Sequence, residues 1–153
     1  DHNLRYLSNL IEKQLNKNVQ AIPGAGAAGG LGAGLVAFLG AELRAGIDIV
    51  LDINNLEKRL PGVELVLTGE GKMDGQTVKG KAPIGVAKLA KKYNIPVIAI
   101  NGSLGEDYRK VLKEGIDAVF SNLDGPAPLD EAIENGSQMV EKVTEQVIRT
   151  FLL

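Results

Sequence analysis

Val63-Glu-Leu-Val-Leu-Thr68 and Pro96-Val-Ile-Ala-Ile-Asn101 are two short and almost continuous apolar runs in the second half of the chain. Such runs are typical of parallel β-strands that are covered on both faces. A weaker third run lies at Asp117–Ser121. These three segments are therefore predicted to be the strands of one sheet.

Helical patterns separate the predicted strands. One covers Ile84–Tyr93, with Pro83 suited to a first helical turn, and another covers Glu106–Glu114, with Gly115 suited to a helix end. Because strand and helix alternate, the sequence predicts an α/β fold with a mainly parallel sheet flanked by helices, in Rossmann-like or flavodoxin-like layering. With no linker or repeat visible, the 153 residues are expected to form a single α/β domain.

The other segments are predicted to be helical. Apolar residues at helical spacing indicate an amphipathic helix over residues 3–17, and small apolar residues indicate a closely packed helix over about residues 29–43. Residues 47–60 fit a strand as well as a helix, and the helix is favoured because Asn54-Asn55 suits a strand poorly. After a turn at 124–128, residues 129–153 are predicted to form one long closing helix.

Composition argues against several classes of protein. The chain has 17 Lys and Arg against 19 Asp and Glu, so it lacks the positive charge expected of a nucleic-acid-binding protein. It has no Cys, which excludes disulfides and thiolate catalysis, and its one His, His2, is at a terminus, which argues against a Ser-His-Asp triad. No apolar run reaches the roughly 18 residues of a membrane span. The sequence thus predicts a cytoplasmic protein without nucleic-acid or membrane partners, and leaves its oligomeric state open.

The first candidate site is a glycine-rich segment, Gly24-Ala-Gly-Ala-Ala-Gly-Gly-Leu-Gly-Ala-Gly34. It contains the G-x-G-x-x-G pattern of dinucleotide-binding proteins, but the extended run before it is only four residues long, which disfavours that interpretation. The glycines serve either close helix packing or an anion cradle, in which backbone N–H groups and a helix N-terminus hold a phosphate or carboxylate. The predicted cradle residues are Gly24, Gly26, Gly29 and Gly30.

The second candidate site is the loop Thr68-Gly-Glu-Gly-Lys-Met-Asp-Gly-Gln-Thr77. It begins where the first predicted strand ends, and open α/β sheets bind ligands outside the carboxyl ends of their strands. Glu70 and Asp74 offer oxygen ligands for Mg²⁺ or a general base, and Gln76 and Thr77 offer hydrogen bonds to hydroxyl groups. The loop glycines would let the backbone approach a ligand. The alternative is a solvated, flexible loop in which these residues only make turns.

Two further segments are predicted to face the same crevice. Lys81 precedes a helix, and its charge would add to the helix dipole in attracting a phosphate. Asn101-Gly-Ser-Leu-Gly105 follows the second predicted strand, and its polar groups either line the ligand site or form a plain turn.

The chain resembles the C-terminal part of the bacterial glycerate kinase family. Three segments carry the resemblance, Pro23-Gly-Ala-Gly-Ala-Ala-Gly-Gly-Leu-Gly32, Leu67-Thr-Gly-Glu-Gly-Lys-Met-Asp-Gly-Gln-Thr77 and Gly80-Lys-Ala-Pro-Ile-Gly-Val-Ala87, and it extends through Pro96–Ser103 and Gly115–Phe120. The resemblance implies transfer of the ATP γ-phosphoryl group to a hydroxyl of D-glycerate, with Mg²⁺, in a cleft between two α/β domains.

In an enzyme of this kind, the predicted catalytic residues are Glu70, Asp74 and Lys81. The two carboxylates would hold Mg²⁺ or activate the acceptor hydroxyl, and the lysine would neutralise phosphate charge. Gln76 and Thr77 would orient the substrate. The sequence does not decide which carboxylate is the base or which glycerate hydroxyl is phosphorylated.

Members of this family are more than twice as long as the chain, which also lacks an initiator Met. The resemblance therefore implies that an N-terminal portion is missing and that the isolated chain has little kinase activity. One alternative is a non-catalytic α/β module that binds a nucleotide or a small acid. A nicotinamide-binding dehydrogenase domain is a third and less favoured hypothesis.

Overall fold

The computed structural model describes residues 1–123 and 125–153, and the predicted turn at 124–128 begins at a residue outside these ranges. The chain divides into two compact units, Asp1–Ala45 and Gly46–Leu153. No helix in the described ranges combines the length and apolar character that crossing a membrane requires.

Seven helices and five strands form the regular structure of the described residues. The helices are α1 (His2–Leu15), α2 (Ala27–Leu39), α3 (Gly46–Ile53), α4 (Leu56–Arg59), α5 (Ala82–Lys91), α6 (Leu129–Glu134) and α7 (Gly136–Phe151). The strands are β1 (Val66–Thr68), β2 (Lys72–Met73), β3 (Val97–Asn101), β4 (Ser103–Leu104) and β5 (Ala118–Ser121). Short 3-10 helical segments cover Thr77–Lys79 and Tyr108–Glu114.

The first unit contains α1 and α2, which pack around a small core of Ile11, Val19 and Ala37. The predicted amphipathic helix is confirmed, and it ends where Asn16 adopts a left-handed conformation with φ 52°. The second helix begins earlier than predicted, at Ala27, and three consecutive residues near its start have positive φ. A regular right-handed helix therefore follows only after Gly30.

The second unit contains a three-stranded parallel sheet with strand order β1-β3-β5. The three predicted strands are confirmed, although each begins one or more residues later than expected. Two of the buried residues of β3, Val97 and Ala99, share the core with Ala87 and Ala90 of α5. The fold class predicted from the alternation of strand and helix is thus the one observed.

Some predicted helices are shorter or tighter than expected. Residues 47–60 are helical but are interrupted at Asn55, which has a φ of 50°. The predicted closing helix is divided into α6 and α7 at Asn135. Asn and Gly have low helix propensity, and the Asn135 side chain instead bonds the Glu131 carbonyl oxygen at 3.0 Å. The segment at Tyr108–Glu114 is a 3-10 helix instead of an α-helix.

Asp117, the residue before β5, is hydrogen-bonded to the first residue of β3. Its Oδ2 accepts hydrogen bonds from the Val97 N–H at 2.7 Å and from Lys91 Nζ at 2.6 Å. Partial burial raises the pKa of the Asp117 carboxyl, but these two hydrogen bonds and the lysine charge outweigh it, so the pKa lies below its usual value.

Candidate active site

The carboxyl ends of β1 and β3 are followed by loops that are bonded to one another. The Gly102 N–H donates to the Glu70 carbonyl oxygen at 3.1 Å, and the Gly105 N–H donates to the Met73 carbonyl oxygen at 2.8 Å. Between these bonds, β2 and β4 form a two-stranded parallel ladder. The loop after β1 is therefore hydrogen-bonded to the loop after β3 at several positions along its length.

Two glycines at this junction are required by close backbone contacts. A Cβ added at Gly69 would overlap the carbonyl oxygen of Ile100, and one added at Gly102 would lie 2.5 Å from the carbonyl oxygen of Gly71. We expected the loop glycines to make room for a ligand. At Gly69 the space is instead taken by the neighbouring loop, whereas a Cβ at Gly71 would meet no atom within 4 Å.

Glu70, Asp74 and Lys81 come together beside these loops. Lys81 Nζ lies 3.3 Å from Glu70 Oε2 and 4.0 Å from Asp74 Oδ1. The Glu70 side chain is 17% exposed and that of Lys81 is 42% exposed, so the lysine is the more solvent-accessible member of the pair. One cation thus offsets the repulsion of two carboxylates that are four residues apart in the sequence.

Thr77 connects the two carboxylate-bearing residues from the interior. Its side chain is fully buried, its hydroxyl donates a hydrogen bond to Glu70 Oε1, and its oxygen accepts one from the Asp74 N–H at 3.1 Å. Gln76 is exposed, and its N–H donates to Asp74 Oδ1 at 2.9 Å. The structure therefore brings together Glu70, Asp74, Thr77 and Lys81, with Gln76 at the surface beside them.

Lys81 occupies the N-cap position of α5. Its backbone is extended, with φ −69° and ψ 164°, and a proline follows in the first helical turn. The Ile84 N–H donates to the Lys81 carbonyl oxygen at 3.1 Å. This placement puts the lysine at the helix end that carries partial positive charge, so an anion there would meet both.

Glu70 and Asp74 are the carboxylates at this site that could bind a metal ion. In residues 1–123 and 125–153, no group of three or more His, Cys, Asp or Glu side chains is arranged to hold a metal. Mg²⁺ in phosphoryl-transfer enzymes is commonly bound by one or two carboxylates together with substrate phosphates and waters. Glu70 and Asp74 face one cationic partner here, with Lys81 Nζ within 4.0 Å of both carboxylates.

The glycine-rich segment belongs to the first unit. Gly24, Gly29 and Gly30 have φ values of 82°, 68° and 85°, which L side chains rarely adopt. Gly26 has an ordinary φ of −78° and no atom within 4 Å of an added Cβ, so its backbone is open to its surroundings. Gly26 and Gly30 line a pocket of about 200 Å³ together with residues of α1, including Arg5.

Asn101 was not among the predicted site residues, although its segment was expected to lie at a ligand site or a turn. It is buried, and its side-chain oxygen accepts a hydrogen bond from the Glu70 N–H at 3.1 Å. The sequence signal for it was a polar residue at the end of an otherwise apolar strand.

Comparison with known proteins gives a consistent result. The sequence profile of the glycerate kinase family matches residues 1–152. A glycerate kinase of Halalkalibacterium halodurans is 50% identical over 147 residues, which are 96% of this chain and 39% of that protein. The glycerate 2-kinase of Escherichia coli K12 is 48% identical over 153 residues, which are all of this chain and 40% of that protein.

Solved structures agree. A crystal structure assigned as glycerate kinase 2 from Salmonella typhimurium LT2 superposes with a TM-score of 0.74 at 45% identity, covering 99% of this chain and 38% of that one. The chain spans about 40% of the length of the curated relatives named above. It belongs to the glycerate kinase family.

Proposed function

We propose that a polypeptide containing this chain is a glycerate kinase, which transfers the γ-phosphoryl group of ATP to a hydroxyl of D-glycerate and releases phosphoglycerate and ADP. The observation that carries the proposal is the similarity to glycerate kinases at 42% to 50% identity across almost the whole chain. The cluster of Glu70, Asp74 and Lys81 supports it, because these groups match what phosphoryl transfer needs.

Phosphoryl transfer depends on positioning and on neutralising charge. In our proposal one carboxylate, Glu70 or Asp74, accepts the proton of the attacking glycerate hydroxyl. The oxygen of that hydroxyl then forms a bond to the γ-phosphorus as the bond to the β-phosphate oxygen breaks, and ADP leaves. Lys81 and the N-terminus of α5 stabilise the negative charge on the transferred group.

The structure changes the role that we assign to Thr77. Its side chain is fully buried and its hydroxyl is already bonded to Glu70 and Asp74, so we propose that it positions the carboxylates instead of contacting substrate. Gln76 is exposed and remains our candidate for a direct contact with a substrate hydroxyl. Gly24, Gly26, Gly29 and Gly30 remain our candidates for an anion cradle.

Mg²⁺ is the cation that we propose for this reaction. Glu70 and Asp74 would hold it, and when bound it would supply further neutralisation of the ATP phosphates. With Mg²⁺ bound, the Lys81 side chain would turn from the carboxylates towards the ATP phosphates. It is partly exposed, which leaves it room for that movement.

The activity is tested with a chimeric kinase, in which these 153 residues replace the matching segment of the E. coli glycerate 2-kinase. We expect the chimeric kinase to form phosphoglycerate and ADP in equal amounts when D-glycerate is present. A folded chimeric kinase that hydrolyses or transfers no ATP phosphate with glycerate would contradict the proposal.

Glu70→Gln and Asp74→Asn in the chimeric kinase test the site itself. Each is expected to lower kcat by about 10²-fold or more, the scale of losing a positioned acid-base group. Stability should change little, because the introduced amide oxygens can still accept the hydrogen bonds from Thr77 and from the Gln76 N–H, and ion pairs to the partly exposed Lys81 contribute little. Glu114→Gln is the control, since it removes another carboxylate that pairs with a lysine, Lys88, at 2.9 Å.

The chain by itself is expected to bind ligand without turnover, because it spans about 40% of its relatives and an incomplete cleft cannot align two substrates. Saturation-transfer NMR of the 153 residues with ATP and Mg²⁺, with glycerate and with NAD separates the candidate ligands. A signal from NAD alone would favour a nicotinamide-binding domain. Rapid phosphorylation of glycerate by the isolated chain would show that no further segment is needed.

A further inference from the structure

Asn101 links the three strands of the parallel sheet at their carboxyl edge. It is the last residue of β3, and only 1% of its surface is exposed. Its side-chain oxygen accepts from the Glu70 N–H at 3.1 Å, on the β1 side, and its side-chain nitrogen donates to the Phe120 carbonyl oxygen at 3.3 Å, in β5. An N–H only donates and a carbonyl only accepts, so these two partners determine the orientation of the amide.

We propose that Asn101 is a positioning residue that holds the backbone of Glu70, and through it the carboxylate, in the place that phosphoryl transfer requires. This inference rests on the proposed glycerate kinase activity. Asn101 does not act on substrate directly, because its side chain is buried. Its effect passes through Glu70, whose own backbone carbonyl is held by the Gly102 N–H at 3.1 Å.

The backbone of Glu70 needs this support because of the residues around it. Glycines flank it on both sides, at Gly69 and Gly71, and glycine leaves the chain with more conformational freedom than any other residue. Hydrogen bonds to the N–H and the C=O of Glu70 remove that freedom. The side chain then reaches Lys81 and Thr77 from a fixed origin.

The chemistry of position 101 is met by few side chains. The side chain must accept a hydrogen bond from the Glu70 N–H and donate one to the Phe120 carbonyl, with a single methylene between the backbone and the polar group. An ionised Asp accepts from Glu70 but cannot donate to Phe120. A protonated Asp does both, since its carbonyl oxygen accepts and its O–H donates. Leu has a similar size and does neither.

This difference gives a test that a purely structural role would not satisfy. In the chimeric kinase, we expect Asn101→Leu to lower kcat by about 10²-fold, because misplacing a catalytic group by about 1 Å can cost that much. KM for ATP should change much less than kcat, since the backbone bond from the Ile84 N–H to Lys81 that begins α5 is untouched. Val97→Ala is the control, because it removes a fully buried side chain from the start of β3, away from the edge that holds Glu70.

The proposal is wrong if Asn101→Leu keeps kcat within twofold of wild type. It is also wrong if Val97→Ala loses kcat as strongly as Asn101→Leu at the same thermal stability, because position 101 would then matter only for folding. Hydrogen exchange of the Glu70 N–H in the 153-residue chain needs no activity. Protection lost in Asn101→Leu and kept in Val97→Ala would support the positioning bond even if the chimeric kinase showed that the proposed activity fails.

Discussion

The hydroxyl of Thr77 joins the Glu70 carboxylate to the backbone of Asp74. It donates to Glu70 Oε1 and accepts from the Asp74 N–H at 3.1 Å, and it has no solvent exposure. Thr77→Val replaces the hydroxyl by a methyl group of similar size. The substitution therefore removes both hydrogen bonds without opening a cavity.

The size of the effect follows from these two bonds. A hydrogen bond to a charged group contributes about 1.5–3 kcal/mol, and a buried donor that loses its acceptor costs about 1–3 kcal/mol. Glu70 keeps Lys81 as a partner, so the lower part of each range applies. We expect Thr77→Val to lower the free energy of unfolding by about 3 kcal/mol, which is roughly 10 °C in Tm for a chain of this size. Thr77→Ser keeps the hydroxyl and loses one methyl, about 1 kcal/mol.

Urea unfolding of the 153-residue chain measures the stability, and kcat of the chimeric kinase measures the positioning. Thr77→Val should lower kcat by about 10²-fold, whereas Thr77→Ser should stay close to wild type. Thr144→Val is the matched control, because that hydroxyl bonds only the Val140 carbonyl oxygen of its own helix in the contacts described here. The reasoning fails if Thr77→Val unfolds at the wild-type urea concentration, or if Thr77→Ser loses as much kcat as Thr77→Val.

Three other outcomes follow from backbone geometry and charge. Gly26→Ala should leave thermal stability nearly unchanged and weaken ATP binding measured by calorimetry. Gly30→Ala should lower the free energy of unfolding in urea by about 1–2 kcal/mol because of its φ of 85°. If Gly26→Ala binds ATP with wild-type affinity, the anion-cradle hypothesis is wrong. Gly69→Ala should destabilise the chain far more than Gly71→Ala, and equal melting temperatures would contradict the close contact between the loops. The folded-state pKa of Asp117 is lowered, so the Asp117 carboxylate stabilises the fold above about pH 4, and this stabilisation is lost as the pH falls through the folded-state pKa. The Tm difference between wild type and Asp117→Asn should therefore shrink as the pH falls from 6 to 2. A constant difference would contradict this role of Asp117.

The sheet and most helices could be predicted because their signals are local. The strand ending at Thr68 and the strand ending at Asn101 are continuous apolar runs, and such runs need burial on both faces. The division at Asn135 was missed because the apolar positions keep a helical spacing on both sides of it. Spacing reports which residues share a face, and it says little about one weak position within the pattern.

The ladder of β2 and β4 could not be predicted for a different reason. Each strand has two residues, which is too short for any periodicity to appear. Its formation depends on the approach of two loops that are about thirty residues apart in the sequence. The cluster of Glu70, Asp74 and Lys81 was predictable as a set of residue types, but the link from Asn101 to Glu70 depends on this same long-range approach.

The glycines of the candidate loop acquire a second meaning from that approach. Gly69 lets the chain pass against the Ile100 carbonyl, and this closeness is what brings the Asn101 side chain within 3.1 Å of the Glu70 N–H. A larger residue at position 69 would push the loops apart and lengthen that hydrogen bond. The glycine and the asparagine therefore act on the same atom, the amide nitrogen of Glu70, from different places in the sequence. The glycine at position 69 permits close contact between the loop and β3. The position of the Glu70 carboxylate therefore depends on β3.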